Sequence, residues 1–319
     1  MIHMDPKVIG IGTAVLLIAI FFAVVLAPRY TNPESLTPSD THRDRTALEE
    51  EGRRHYISLG CQYCHSQYIR PTDWDLGSER VAQAGDYARE KAPQLGSLRT
   101  GPDLSQQGGE HTDDWHVAHF YNPRWVRPDS IMPPFPYLSE RQRDSLIAYL
   151  QSLGGTDADQ RVARQWYWRE QAIAAYEAGP DENVRWLHAQ VPQGWLEVPN
   201  PYPVTPANLK RGEVIYQRNC LGCHGPVGDG QGPAVNFIYP PPFNFTTLHR
   251  HGLAGGATGG MLYYQIMNGI TGTAMPYFKR ELESAKIWDV SNYVATQFIG
   301  LSDANQEPKG IDASYEPFH

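Results

Sequence analysis

The sequence predicts an all-α protein in which one apolar N-terminal helix is followed by two similar helical domains. Three observations lead there. The chain carries no charge from Val8 to Ala27. The pattern Cys-x-x-Cys-His occurs twice, at Cys61–His65 and Cys220–His224, and uses all 4 cysteines. Around each copy the apolar residues recur at helical spacing, with little of the alternation that marks strands.

The apolar run comes first. At a rise of about 1.5 Å per residue, Val8–Ala27 is long enough for a hydrocarbon core of about 30 Å. It exceeds the roughly 7–15 residues of a signal-peptide core and ends at Pro28-Arg29-Tyr30 rather than at a small-residue cleavage site. A retained single-pass transmembrane anchor over 1–30 is expected. Lys7 and Arg29 flank it on opposite sides, so charge gives no orientation. From Thr31 to Asp44 the chain is polar, with Pro33 and Pro38, and reads as an extended tether.

The two domains, 31–155 and 207–300, are related by an internal repeat. A helix from about Thr46 to Leu59 carries Gly52 and Tyr56 ahead of Cys61. A second, about Ala207 to Asn219, carries Gly212 and Tyr216 ahead of Cys220. Each domain closes with a helix. Ser139-Glu140-Arg141-Gln142 is a capping box, and Leu146, Tyr149, Leu150 and Leu153 follow as a stripe that stops at Gly154-Gly155. Ile287, Val290, Val294 and Phe298 make the matching stripe before Gly300. A glycine on the first helix lets the last helix cross closely, with its aromatic neighbour packing at the crossing. Each half therefore reads as helix, cysteine motif, long loop, helix.

Between the domains, 156–206 is helical over 160–178 and dense in tryptophan: Trp166, Trp168, Trp186 and Trp195. These are expected to pack the two domains together. The prolines from Pro192 to Pro206 mark the start of the second domain, and 301–319 reads as a polar, irregular tail.

Cys-x-x-Cys followed directly by His is the spacing of covalent c-type haem attachment. Two thiols form thioethers, and the adjacent imidazole takes an axial position on the iron. A zinc ribbon would place its cysteine pairs within roughly 15–20 residues of each other, far closer than Cys61 and Cys220. A thioredoxin-type pair gives no reason for the histidines, and a disulfide would close a small strained ring. The reading is one transmembrane helix followed by two cytochrome c-type haem domains holding two covalently bound haem c groups. Cys61, Cys64, Cys220 and Cys223 attach them; His65 and His224 ligate the irons. Because c-type haem is attached outside the bacterial cytoplasm, both domains are expected on the periplasmic side of the cytoplasmic membrane.

A haem that only transfers electrons has both axial positions filled. Met132 and Met275 each precede a proline, which favours an extended loop able to cross a haem face, and each lies just before the last helix of its half. They are the expected sixth ligands, with Met261 and Met267 as packing residues. The carbonyl of Pro102, in Gly101-Pro102-Asp103-Leu104, is the expected acceptor that orients His65. For His224, Pro233 and the run Pro240-Pro241-Pro242 remain alternatives. His55, His111, His116 and His119 are assigned structural or surface roles. With 27 Lys and Arg against 35 Asp and Glu, the formal charge is −8, which speaks against nucleic acid and suits a basic protein partner.

Cys61-x-x-Cys64-His65-Ser66-Gln67, Ile69-Arg70-Pro71, Arg99-Thr100-Gly101-Pro102-Asp103-Leu104, Trp115-His116-x-x-His119 and Ser130-Ile131-Met132-Pro133-Pro134 occur in that order. Together they resemble the membrane-anchored O subunit of cbb3-type haem-copper oxidases over roughly residues 10–153. Tyr68 and Phe135-Pro136-Tyr137 depart from that family's pattern. So does the second domain, which resembles small soluble bacterial cytochromes c. The resemblance implies a diheme electron-transfer subunit with no catalytic site of its own. Electrons would enter from a cytochrome c or a quinol-oxidising complex, pass from the C-terminal to the N-terminal haem, and leave to an integral-membrane haem-copper catalytic subunit. A nitric oxide reductase subunit, a diheme peroxidase and a free-standing tethered shuttle are the rival readings.

Overall fold

The computed structural model describes residues 5–31, 37–73, 80–90, 92–96, 98–196, 198–251 and 259–300. The expected C-terminal tail and part of the tether lie outside the described residues. Among the described residues every regular element is helical.

Helix α1, Pro6–Phe21, starts at Asp5, whose carboxylate accepts from the Lys7 amide. It runs through a π-helical turn at Phe22–Leu26 into α2, Ala27–Thr31. Over Pro6–Leu26 the mean hydropathy is 2.9, and none of the span is buried against the rest of the protein. An apolar helix that packs against nothing in water would be unstable; this one is long and apolar enough to cross a membrane.

The first soluble module is built on α3, Ala47–Ser58, and α6, Glu140–Ser152. Each begins with a capping box, Thr46 with Glu49 and Ser139 with Gln142, which satisfies two otherwise orphaned backbone donors. The helices cross at Gly52, where a Cβ would lie 1.8 Å from the Ser145 carbonyl oxygen. No other residue lets the backbones meet this closely. One turn on, Tyr56 packs on Tyr149, with ring centroids 5.3 Å apart.

The second module repeats this construction with α10, Pro206–Asn219, and α13, Ser284–Val294. Here Gly212 meets the Asp289 carbonyl, 2.2 Å from where its Cβ would stand, and Tyr216 packs on Tyr293 at 5.6 Å. The expected stripe residues Ile287, Val290, Val294 and Phe298 are all buried. In both modules the crossing tyrosine is almost completely enclosed.

The long loops expected between motif and closing helix are instead partly helical. The first contains α4, Asp113–Tyr121, and α5, Pro123–Val126. The second motif forms α11, Leu221–His224, and the loop after it contains α12, Gly259–Asn268. Helix α4 escapes a periodicity reading because it is packed on more than one side and so lacks a polar face. The intervening segment is also more ordered than expected. Helix α7, Gly155–Glu177, follows α6 after a reversal at Gly154 and Gly155, both at positive φ. It leads into α8, Pro180–Ala189, and α9, Gln193–Leu196.

Helices α4 and α5 join the modules. Trp115, Trp125 and Val126 pack with Cys223, Ala234, Ile238 and Ala274 of the second module. Asp114 ties three parts together: it accepts from Arg169 of α7 at 3.0 Å and from the Tyr239 amide at 2.9 Å. Glu110 accepts from Tyr277, and Arg127 pairs with Glu281.

Candidate haem sites

Both cysteine motifs fold into one tight helical turn. In the first, Gly60 at φ 78° turns the chain out of α3, and the His65 amide donates to the Cys61 carbonyl at 2.9 Å. In the second, the His224 amide donates to the Cys220 carbonyl at 2.9 Å. Residues at i, i+3 and i+4 share a helix face, so each turn presents two thiols and an imidazole together. None of the four cysteines is bonded to another. Burial pushes Cys61, Cys220 and Cys223 up to about 12, the opposite of the lowered pKa of a reactive redox pair.

His65 is held as an axial ligand needs to be held. Its Nδ1 lies 2.8 Å from the Pro102 carbonyl oxygen, the acceptor expected from the sequence. With Nδ1–H donating, the Nε2 lone pair is left for a metal. Burial keeps the ring pKa below its ordinary value, so it is neutral at pH 7. A Cβ on Gly101 would stand 2.3 Å from His65 Cε1; glycine is required because backbone runs against the ring.

The residues after His65 hold that loop in place. The Gly101 amide donates to the Cys64 carbonyl at 2.9 Å and the Leu104 amide to the Ser66 carbonyl at 2.8 Å, bracketing Pro102. The Asp103 carboxylate accepts from the Ser66 hydroxyl at 2.6 Å and from the Tyr68 amide at 2.8 Å. Arg99 donates to Ser66 and to Asp73, each at 2.7 Å. Arg99, with Arg70, holds the Asp73 carboxyl well below the usual carboxylate range. The Gln67 side chain accepts from Tyr149 at 3.0 Å, tying the tail to α6.

His224 is half-buried, and desolvation lowers its pKa to about 4. Of the alternatives left open by the sequence, Pro240, Pro241 and Pro242 line the cavity beside it, and the backbone influence on its ring comes from the next residue, the Phe243 carbonyl. Its Nδ1 meets no acceptor with full hydrogen-bond geometry; the Phe243 contact is a weak one. The Phe245 ring stacks on it at 4.6 Å.

That cavity is open on one side and lined mostly by apolar side chains. Cys220, Cys223 and His224 line one part of it and Met275 another; Met261 also lines it. Met267 packs against the second core. In the first module Cys61 and Met132 pack against one core. Met132 and Met275 are held alike: the Met132 amide donates to the Ser130 hydroxyl and the Met275 amide to the Thr273 hydroxyl, each at 3.2 Å. This Ser/Thr-x-Met-Pro turn was legible in the sequence but not singled out there.

The three histidines of α4 and its entry surround Trp115, His116 buried and His111 and His119 half-buried. His111 stacks on the indole at 3.7 Å and His119 on it at 4.7 Å. Burial pushes His111 down to about 3 and His119 to about 4. The charge of His65 adds to the lowering at His119, and Trp115 lines the second cavity. His55 lies near Glu51, at 4.0 Å.

The residues present fit a covalently attached haem: paired thiols, an adjacent imidazole with an oriented ring in the first module, and a methionine before proline in each module. The buried, unpartnered Nδ1 of His119 and Nε1 of Trp186 suit a ligand that brings acceptors of its own. Residues 2–145 match the family model described as cytochrome c oxidase, mono-heme subunit/FixO, and residues 207–294 match that of cytochrome c oxidase, cbb3-type, subunit III. The chain is a FixO-like protein with two cytochrome c domains. Such domains carry covalently bound haem c. A chain of the Kuenenia stuttgartiensis reducing HAO-like protein complex is 20% identical, covering 77% of the FixO-like chain and 94% of its own length, with a TM-score of 0.26. The comparison with curated proteins finds no match.

Proposed function

We propose that the FixO-like chain is the cytochrome subunit of a membrane haem-copper oxidase of the cbb3 type, uniting in one polypeptide two cytochromes that match separate family models. Cys61 and Cys64 would attach one haem c, with His65 and Met132 as its axial pair. Cys220 and Cys223 would attach the other, with His224 and Met275. Each haem supplies a one-electron iron couple; the chain supplies ligation, spacing and surroundings. Both modules are read as periplasmic, anchored by α1.

The observation that carries the relay is the α4–α5 seam. Trp115 lines the second cavity and stacks on His119, while Val117 and Phe120 of the same helix pack into the first core. This helix thus packs on both modules, which supports a path between them through packed side chains. Electrons from a cytochrome c or quinol-oxidising donor would enter the second module, cross this seam, and leave from the first, anchor-proximal module to the catalytic subunit.

The test is mild detergent purification through a tag on this chain, followed by oxygen and nitric oxide turnover on one sample. Oxygen consumption with a co-purifying multi-span b-haem subunit is the expected result. Nitric oxide reduction without oxygen uptake would assign the chain to a reductase, and a lone diheme protein without either activity would leave a tethered shuttle.

A further inference from the structure

Residues 146–206 lie outside both family matches, yet they form one wall of the second cavity. Val184 of α8 is 2% exposed and belongs to the second core. Ala172 of α7, with Asn183, Trp186 and Leu187 of α8, lines the same cavity as His224 and Met275. Gln265 of α12 donates to the Leu187 carbonyl at 3.1 Å, fixing α8 against the module.

The indole nitrogen of Trp186 is buried and has no hydrogen-bond partner in the protein. An indole N–H is a donor only, and a buried donor left without an acceptor is destabilising. The Asn219 and Gln265 amide nitrogens donate to the Ile215 carbonyl at 3.0 Å and to the Leu187 carbonyl, and neither side-chain oxygen accepts from the indole. No Lys, Arg, Asp or Glu occurs among the described lining residues. A haem that enters this cavity brings two carboxylates, its propionates, and these are its hydrogen-bond acceptors. An anionic carboxylate in an apolar wall without a cationic partner requires neutral donors.

We propose that Trp186 Nε1–H donates to a haem propionate in the second module, so that the α7–α8 segment is part of that haem's binding site. This rests on the reading of the second module as a haem site. Donation offsets part of the propionate's negative charge, which otherwise favours ferric iron, and so raises the reduction potential.

Spectropotentiometric titration of the purified full chain in detergent tests this, after the haem content is fixed by the pyridine haemochrome assay. In Trp186→Phe, with two haems retained, the second midpoint should fall while the first stays unchanged. Trp186→His, which keeps an N–H donor, should recover most of the fall. Unchanged midpoints in Trp186→Phe, or an equal fall in Trp186→His, would overturn the proposal. If Trp186→Phe fails to take up haem, ¹⁵N-tryptophan spectra of the reduced wild type decide. The indole signal absent from Trp186→His must resist solvent exchange, and rapid exchange overturns the assignment. A wild-type chain with one haem would instead refute the underlying two-haem reading.

Discussion

Gly101 and His65 show how a single residue type is dictated by its contact. The backbone at Gly101 runs so close to the imidazole that any Cβ would meet Cε1 at 2.3 Å. Gly101→Ala must push the ring or the loop away and break the Nδ1 contact with Pro102. Overpacking of this kind costs about 1–3 kcal/mol. The expected outcome is a lower urea midpoint, together with loss of the first haem's low-spin spectrum; a wild-type spectrum would refute the orienting role of the loop. His111 gives the residue-scale pH dependence. Its folded pKa, pushed down to about 3 by burial, lies below the unfolded value near 6.5. The unfolded chain therefore takes up the proton first, so this contribution is complete above about pH 6.5 and is lost as pH falls toward 3. The depressed carboxyl of Asp73, held by Arg99 and Arg70, adds a second loss below the usual carboxylate range. Urea midpoints should fall between pH 7 and pH 4; a constant or rising midpoint would contradict this sign.

At the scale of elements, one construction is used twice. A capped helix brings glycine to a crossing and tyrosine to the core, and the tyrosine hydroxyl closes on the turn of the motif. Tyr56 donates to the His65 carbonyl at 3.3 Å and Tyr216 to the Gly225 carbonyl at 2.6 Å. Gly52→Ala and Gly212→Ala place a methyl against a backbone carbonyl, which cannot rotate away as a side chain can. Each should cost at least about 1–3 kcal/mol and lower the yield of haem in its own module, measured by haem stained per chain. Equal haem content with an unchanged denaturation midpoint would show that the crossings tolerate separation. The repeat was readable because glycine, tyrosine and the motif sit at nearly fixed spacing in both halves. Helix α4 was not, because its side chains answer to neighbours distant in sequence rather than to one polar and one apolar face.

For the molecule as a whole, the decisive contact is between modules. A Cβ on Gly222, within the second motif, would lie 1.5 Å from the Trp125 carbonyl oxygen of α5, so the attachment turn of one module is pressed against a helix of the other. Asp114 is the polar centre of the same seam, with Arg169 and Tyr239 as donors. The pair with Arg169 is half-buried, and removing the carboxylate leaves both donors without their acceptor. Asp114→Ala should therefore separate the unfolding of the two modules, visible as two transitions in calorimetry where the wild type shows one; a single unshifted transition would show that the seam does not couple them.

The sequence determined the chemistry of the sites. Cys61, Cys64 and His65, and Cys220, Cys223 and His224, lie within single helical turns, where spacing alone sets which side chains share a face. It also determined the apolar anchor, whose length and lack of charge are local properties, and the orienting role of Pro102, legible through the motif that contains it. The tertiary structure decided what depends on distant segments meeting. It packed α4 on both modules, chose the stretch ending at Phe243 over Pro233 beside His224, and made the α7–α8 segment a wall of the second cavity. A linear pattern records what a residue can do, while burial between two modules decides what it is asked to do.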